Sequence, residues 1–178
     1  MQPFVSDMKN IQKRARQHIT QGAVTIANET NVEQVVKVLN EVLATEIVCT
    51  LRYRRHYYMA QGINSEAVKA EFLAHSNEEQ QHADEVSTRI TQLNGEPDLN
   101  PDTLMKRSHS PYDHEEDLIA MIREDLVAER IAIETYHEIV RWLGDQDPTT
   151  RRMMERILEK EEEHAEELVN LLDRMPDH

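Results

Sequence analysis

Glutamate and histidine stand three residues apart at two matching places in this chain, Glu79-Gln80-Gln81-His82 and Glu161-Glu162-Glu163-His164. Each pair follows a lone glutamate set in an apolar stripe, Glu46 and Glu129, at intervals of 33 and 32 residues. A buried carboxylate without a partner costs several kcal/mol, so a chain that folds four of them inward must supply cations. Two helices each giving one Glu, and two more each giving Glu-x-x-His, form the ligand set of a two-metal carboxylate site inside a four-helix bundle.

The rest of the sequence supports that architecture. Stop and cap residues predict long helices over about 31–60, 65–93, 114–143 and 147–173. Asn31 or Thr30, Ser65 and Asp147-Pro148 open three of them, and Gly62, Asn94-Gly95 and Gly144 close the first three. The first two helices are joined by a short turn, as are the last two. Between the pairs runs residues 96–113, a connection with Pro97, Pro101 and Pro111 that is expected to carry a short helix near 101–107. Steps of three and four along each helix give one buried seam. These seams read Leu39, Leu43, Glu46, Thr50, Tyr53, Tyr57; Val68, Phe72, His75, Glu79, His82, Val86; Ile122, Leu126, Glu129, Ile133, Tyr136, Val140, Leu143; and Ile157, Glu161, His164, Leu168, Leu171. The expected fold is all-α, an antiparallel four-helix bundle with one long crossover over residues 31–178. An arm over residues 1–30 precedes it, with an amphipathic stretch from Val5 to Ile19 packed on the outside.

All four seams carry an ionisable residue near mid-helix, and two divalent metals would neutralise four carboxylates. Residues three apart share a helix face, so the Glu and His of each motif can reach one metal. Mixed oxygen and nitrogen ligation suits iron or manganese and leaves zinc open. The metal ligands predicted are Glu46, Glu79, His82, Glu129, Glu161 and His164. Tyr53 lies seven residues after Glu46, as Tyr136 does after Glu129, so the two halves of the chain repeat one another. Tyr53 can hydrogen-bond a ligand, donate an electron or simply pack. Tyr136 reads as core, and His75 as a hydrogen-bonded core histidine, with an accessory metal site or a gate as alternatives. His56, near Arg52, Arg54 and Arg55, reads as surface or interface. Glu78, Glu162 and Glu163 are expected to face outward, where they can help to gather iron. A third Glu-x-x-His, Glu134 to His137, falls off the seam and reads as surface.

Composition bounds the function. A net charge of −14 argues against broad DNA binding, although Lys9, Lys13, Arg14 and Arg16 make the N-terminal arm locally basic. The single Cys49 excludes a disulfide framework or a four-cysteine metal knuckle. No apolar run approaches 18 residues and the N-terminus lacks a signal-peptide core, so the expected location is cytoplasmic, with no membrane partner.

The segment 39–46, Leu-Asn-Glu-Val-Leu-Ala-Thr-Glu, the segment Glu79-Gln-Gln-His82-Ala-Asp and the pair Glu163-His164 resemble the ferritin-like superfamily, and in particular bacterioferritins and Dps-like mini-ferritins. The resemblance covers about residues 31–173. It implies ferroxidase ligands at Glu46, Glu79, His82, Glu129, Glu161 and His164, with a neighbouring tyrosine at Tyr53. It implies Fe(II) as substrate, hydrogen peroxide or dioxygen as oxidant, and storage of the product in a homo-oligomeric shell that protects against oxidative stress. Two departures refine it. Gln80 stands where bacterioferritins place a haem-binding Met, so haem is not expected. The chain stops at His178, just past the fourth long helix, which favours a dodecamer over a 24-subunit cage. The competing readings are another di-metal enzyme, such as a manganese catalase, a rubrerythrin-type peroxidase or a small di-iron oxygenase, and a helical interaction protein with surface acids.

Overall fold

Four long helices carry the fold in the computed structural model, whose described residues are 5–25, 31–62 and 65–175. In chain order the helices are α1 (Met8–Ala15), α2 (Val32–Met59), α3 (Ser65–Gln92), α4 (Pro101–Arg107), α5 (Leu118–Leu143) and α6 (Pro148–Asp173), with a 3-10 turn at Ile19–Gln21. No described helix is long and apolar enough to cross a membrane.

Long helices start where a short polar side chain satisfies the free amides of the first turn. Asn31 accepts from the Gln34 amide (3.2 Å) and Asp147 from the Thr150 amide (3.0 Å). Thr30, the other candidate cap for α2, lies outside the described residues. Pro101 and Pro148 fill the first turns of α4 and α6, where a missing N–H has no intrahelical role. The sequence places the start of α5 near His114, but the helix begins at Leu118. Asp117 sets that boundary by accepting from the Ile119 (3.1 Å) and Ala120 (3.0 Å) amides. Just upstream, Arg55 donates to the carbonyls of His114 (3.0 Å) and Glu115 (2.7 Å), which keeps them out of the helix.

Short connections make α2 antiparallel to α3 and α5 antiparallel to α6, and these two pairs form the most extensive contacts. The crossover over residues 93–117 is fastened to α2. Gly95 sits so close that a Cβ there would meet Val36 Cγ1 at 2.6 Å. Asn40 donates to the Glu96 carbonyl (3.1 Å), and its own side-chain oxygen accepts from the Asp98 amide (2.7 Å). Arg107 at the end of α4 donates to the Asn40 carbonyl (2.8 Å). The N-terminal helix is shorter than the amphipathic stretch from Val5 to Ile19, and none of its residues is buried.

The core is divided into two apolar clusters. One contains Leu39, Leu43, Val86, Ile90, Ile139, Leu143, Met154 and Ile157. The other contains Tyr53, Val68, Phe72, Met121, Ile122 and Leu168. Along each long helix the sequence passes from one cluster to the other through Glu46, through Glu79 and His82, through Glu129, and through Glu161 and His164. The apolar halves exclude water from an ionisable layer at mid-bundle.

Candidate metal centre

The heptad-like seams bring all six predicted ligands to one place. Glu46, Glu79, Glu129, Glu161 and His164 are each about 1% exposed, and His82 is 7% exposed. Two overlapping groups result. Glu46, Glu79, His82 and Glu161 present ligand atoms within 4.8 Å of one another, and so do Glu79, Glu129, Glu161 and His164. Glu79 and Glu161 belong to both groups. Each histidine turns Nδ1 inward. His82 Nδ1 lies 3.2 Å from Glu46 Oε2 and 3.1 Å from Glu161 Oε1, while His164 Nδ1 lies 3.3 Å from Glu79 Oε1. The arrangement follows from the spacing, since i and i+3 share a face on α3 and on α6.

The donor set fits a pair of cations on two further observations. Glu79 Oε1, Glu129 Oε2, Glu161 Oε1 and His164 Nδ1 are fully buried yet have no hydrogen-bond partner among the described residues. Four carboxylates share one water-poor volume, and the electrostatics record the strain. Burial, then repulsion from Glu161 and Glu79, pushes the Glu46 and Glu129 carboxyls well above the usual carboxylate range. Burial also opposes the charge on Glu79, but the adjacent His164 and His82 imidazoles outweigh it and hold that carboxyl well below the range. Burial disfavours protonated histidine, yet the neighbouring Glu161 and Glu79 carboxylates push His164 up to about 12. His82 is raised in the same way by Glu161 and Glu46. Protons occupy places that divalent cations would take, and binding metal would release them.

Two tyrosines complete the layer across the α2–α5 contact. The Tyr53 hydroxyl on α2 donates to Glu129 on α5, and the Tyr136 hydroxyl on α5 donates to Glu46 on α2. The expectation that Tyr136 is only core is corrected: it is buried, but it is also a carboxylate partner equivalent to Tyr53. His75 is buried as expected, with Nε2 2.8 Å from Glu167.

Several surface expectations are corrected. His56, read as surface or interface, is buried at 0% exposed, and its neighbour Arg52 is buried with it at 1%. Arg52 Nε donates to Asp125 Oδ1 (2.8 Å) and its Nη1 to the Pro111 carbonyl (3.0 Å), while His56 Nδ1 lies 2.8 Å from Asp125 Oδ2. Asp125, one turn before Glu129, was not singled out from the sequence; its repeat from Glu129 at i−4 was the available signal. Glu78, expected to face out, is partly exposed but its Oε2 lies 2.6 Å from His164 Nε2, so it holds the outer edge of that ring. Glu162 and Glu163 do face outward, the latter paired with Lys160. Glu134 is exposed, in line with its reading as surface.

A bundle with one long crossover and a mid-core layer of four carboxylates and two imidazoles makes this layer a candidate di-metal centre. The model of the ferritin-like domain matches residues 36–177, and the chain belongs to that family. A nutrient stress-induced DNA-binding protein of Nostoc sp. is 29% identical over 141 residues, covering 75% of this chain and 74% of the relative. The bacterioferritin of Desulfovibrio desulfuricans is 25% identical over 132 residues, covering 74% and 70%. Among solved structures, a dodecameric thioferritin, the bacterioferritin-related protein of Bacteroides fragilis, superposes with a TM-score of 0.78 at 29% identity, covering 82% of this chain and 88% of that one.

Proposed function

We propose that this protein is a ferroxidase that stores and detoxifies iron. Two Fe(II) ions are the substrates, held by Glu46, Glu79, His82, Glu129, Glu161 and His164. The observation that carries the reading is the pair of overlapping four-residue groups sharing Glu79 and Glu161. Each Fe(II) gives up one electron. Hydrogen peroxide accepts both and, with two protons, leaves as two waters; dioxygen accepting two electrons and two protons leaves as hydrogen peroxide. The protein supplies position and charge. Glu79, held ionised by His164 and His82, is ready to bridge, while Tyr53 and Tyr136 fix the two outer carboxylates. Two ions carry four positive charges against four carboxylates, so the buried layer becomes neutral.

The product is proposed to collect in the acidic interior of a homo-oligomeric shell in the cytoplasm. A dodecamer is supported by the dodecameric Bacteroides fragilis relative and by the large apolar side chains exposed on the single chain, among them Leu51, Tyr58, Val127 and Trp142. DNA is left out of the proposal because a net charge of −14 repels phosphates. The test is to load the protein with Fe(II) and follow Fe(III) absorbance, particle size and retained iron, with dioxygen and peroxide in separate runs. Oxidation within a large particle that keeps many irons per chain, lost in Glu79→Ala, is expected. Two tightly held metals in a small oligomer without mineral would instead point to a di-metal redox enzyme.

A further inference from the structure

One more histidine and two more glutamates lie beside the centre and are not used by it. Glu71 and His75 are four apart on α3, so they share a face, and Glu167 on α6 comes against them. The three residues present ligand atoms within 4.8 Å of one another. His75 is 1% exposed, Glu71 is half-buried and the Glu167 side chain is 51% exposed, so the group grades from the core to solvent.

His75 faces two ways. Its Nε2 lies 2.8 Å from Glu167 Oε2 on the outer side. Its Nδ1 is buried without a hydrogen-bond partner among the described residues. The ring stacks on His164 with centroids 4.1 Å apart and planes 22° apart, and it packs edge-on to Tyr53 at 5.1 Å. Its ligand atom also groups with those of Glu129 and His164 within 4.8 Å. An imidazole that needed only a structural partner would be satisfied by Glu167 alone. The second carboxylate at Glu71, the unpartnered Nδ1 and the grouping of His75 with both Glu71 and Glu167 and with Glu129 and His164 are what a cation path requires.

We propose that Glu71, His75 and Glu167 form a third divalent-cation site, where Fe(II) is gathered from solvent before passing along His75 to the buried pair. Two carboxylates and one neutral imidazole balance a divalent charge, and this mixed oxygen and nitrogen set suits Fe(II). The exposed Glu167 makes first contact, and His75 then exchanges Glu167 for the Glu129 and His164 side as the ion moves inward. This proposal rests on the reading of the centre as a two-ion ferroxidase site.

Co(II), which does not consume the oxidant, separates the two ideas. Metal-free protein is titrated with Co(II) by calorimetry, and Co(II) crystals are measured for anomalous scattering. The wild type is expected to bind three Co(II) per chain, with one anomalous peak between Glu71, His75 and Glu167. Glu167→Gln, a change at an exposed position, is expected to lose that peak and keep the inner two. It should also raise the Fe(II) concentration for half-maximal oxidation by roughly tenfold or more. Glu71→Gln should do the same, and Glu79→Ala should lose the inner pair while keeping the outer ion. Two inner peaks and no outer peak in the wild type, or an unchanged Fe(II) dependence in both outer variants, would overturn the third site alone. No inner peaks in the wild type would overturn the di-metal centre itself.

Discussion

The Tyr53 hydroxyl donates to Glu129 across the bundle, and the same bond runs in reverse from Tyr136 to Glu46. Each tyrosine stands seven residues after the glutamate of its own helix and holds the glutamate of the other. The repeat in the sequence is thereby turned into a pseudo-twofold arrangement of two outer carboxylates. Tyr53→Phe and Tyr136→Phe are therefore expected to have similar effects. Each leaves a buried carboxyl oxygen without its donor, at a cost of about 1.5–3 kcal/mol of unfolding free energy in the metal-free protein. Denaturant titration of both variants checks this; a loss confined to one of them would contradict the symmetry.

The metal-free protein is predicted to lose stability as pH rises. Burial, then Glu161 and Glu79, raise Glu46 and Glu129, and His164 is pushed up to about 12 against burial by Glu161 and Glu79. Raised groups contribute stability that is fully present below their unfolded pKa and is lost as pH climbs through the folded one. Histidine in the unfolded chain gives up its proton near pH ~6.5, so above that point the folded state retains protons the unfolded state has shed. Each such proton removes about 1.4 kcal/mol per pH unit. Glu79 is held well below the usual range, so its contribution is lost only at acid pH, outside this window. Unfolding free energy measured in chelator from pH ~6.5 to ~9 is expected to fall, and saturating divalent cation should flatten the slope by displacing the protons. A slope unaffected by metal would contradict the assignment.

Arg52 and Asp125 form a fully buried ion pair at 2.8 Å. Removing one partner strands a charge in the core, so Arg52→Met or Asp125→Leu alone is expected to cost about 3–5 kcal/mol. The double replacement should recover part of that loss, since neither charge is then left alone, while His56 still loses its Asp125 partner. Denaturation midpoints of the three variants test this, and equal, additive losses would contradict it.

The six convergent residues were legible because the interior face of a helix repeats in steps of three and four, and four seams each carried an acid that has no business in a core without a cation. The short α2–α3 and α5–α6 turns and the α4 segment were legible from Gly, Asn and Pro. Arg52, His56 and Asp125 were not, because a single seam is narrower than the face a packed helix buries. Arg52 and Asp125 are 73 residues apart, and only the α2–α5 packing shows that they meet. Glu78 was missed for a related reason: next to a buried residue, it was assigned outward, yet its length lets it reach His164. The start of α5 was misplaced because Arg55, on another helix, competes for the carbonyls of His114 and Glu115.

Two ions that react together set the stoichiometry of oxidation. Anaerobic protein loaded with two Fe(II) per chain is mixed with limiting hydrogen peroxide, while Fe(III) absorbance and a hydroxyl-radical trap are read in parallel. Two Fe(II) should be consumed per peroxide with no trapped radical, because paired ions deliver both electrons at once, and Glu79→Ala should abolish that pattern. One Fe(II) consumed per peroxide, with radical trapped in the wild type, would mean that the ions act singly and would contradict the account.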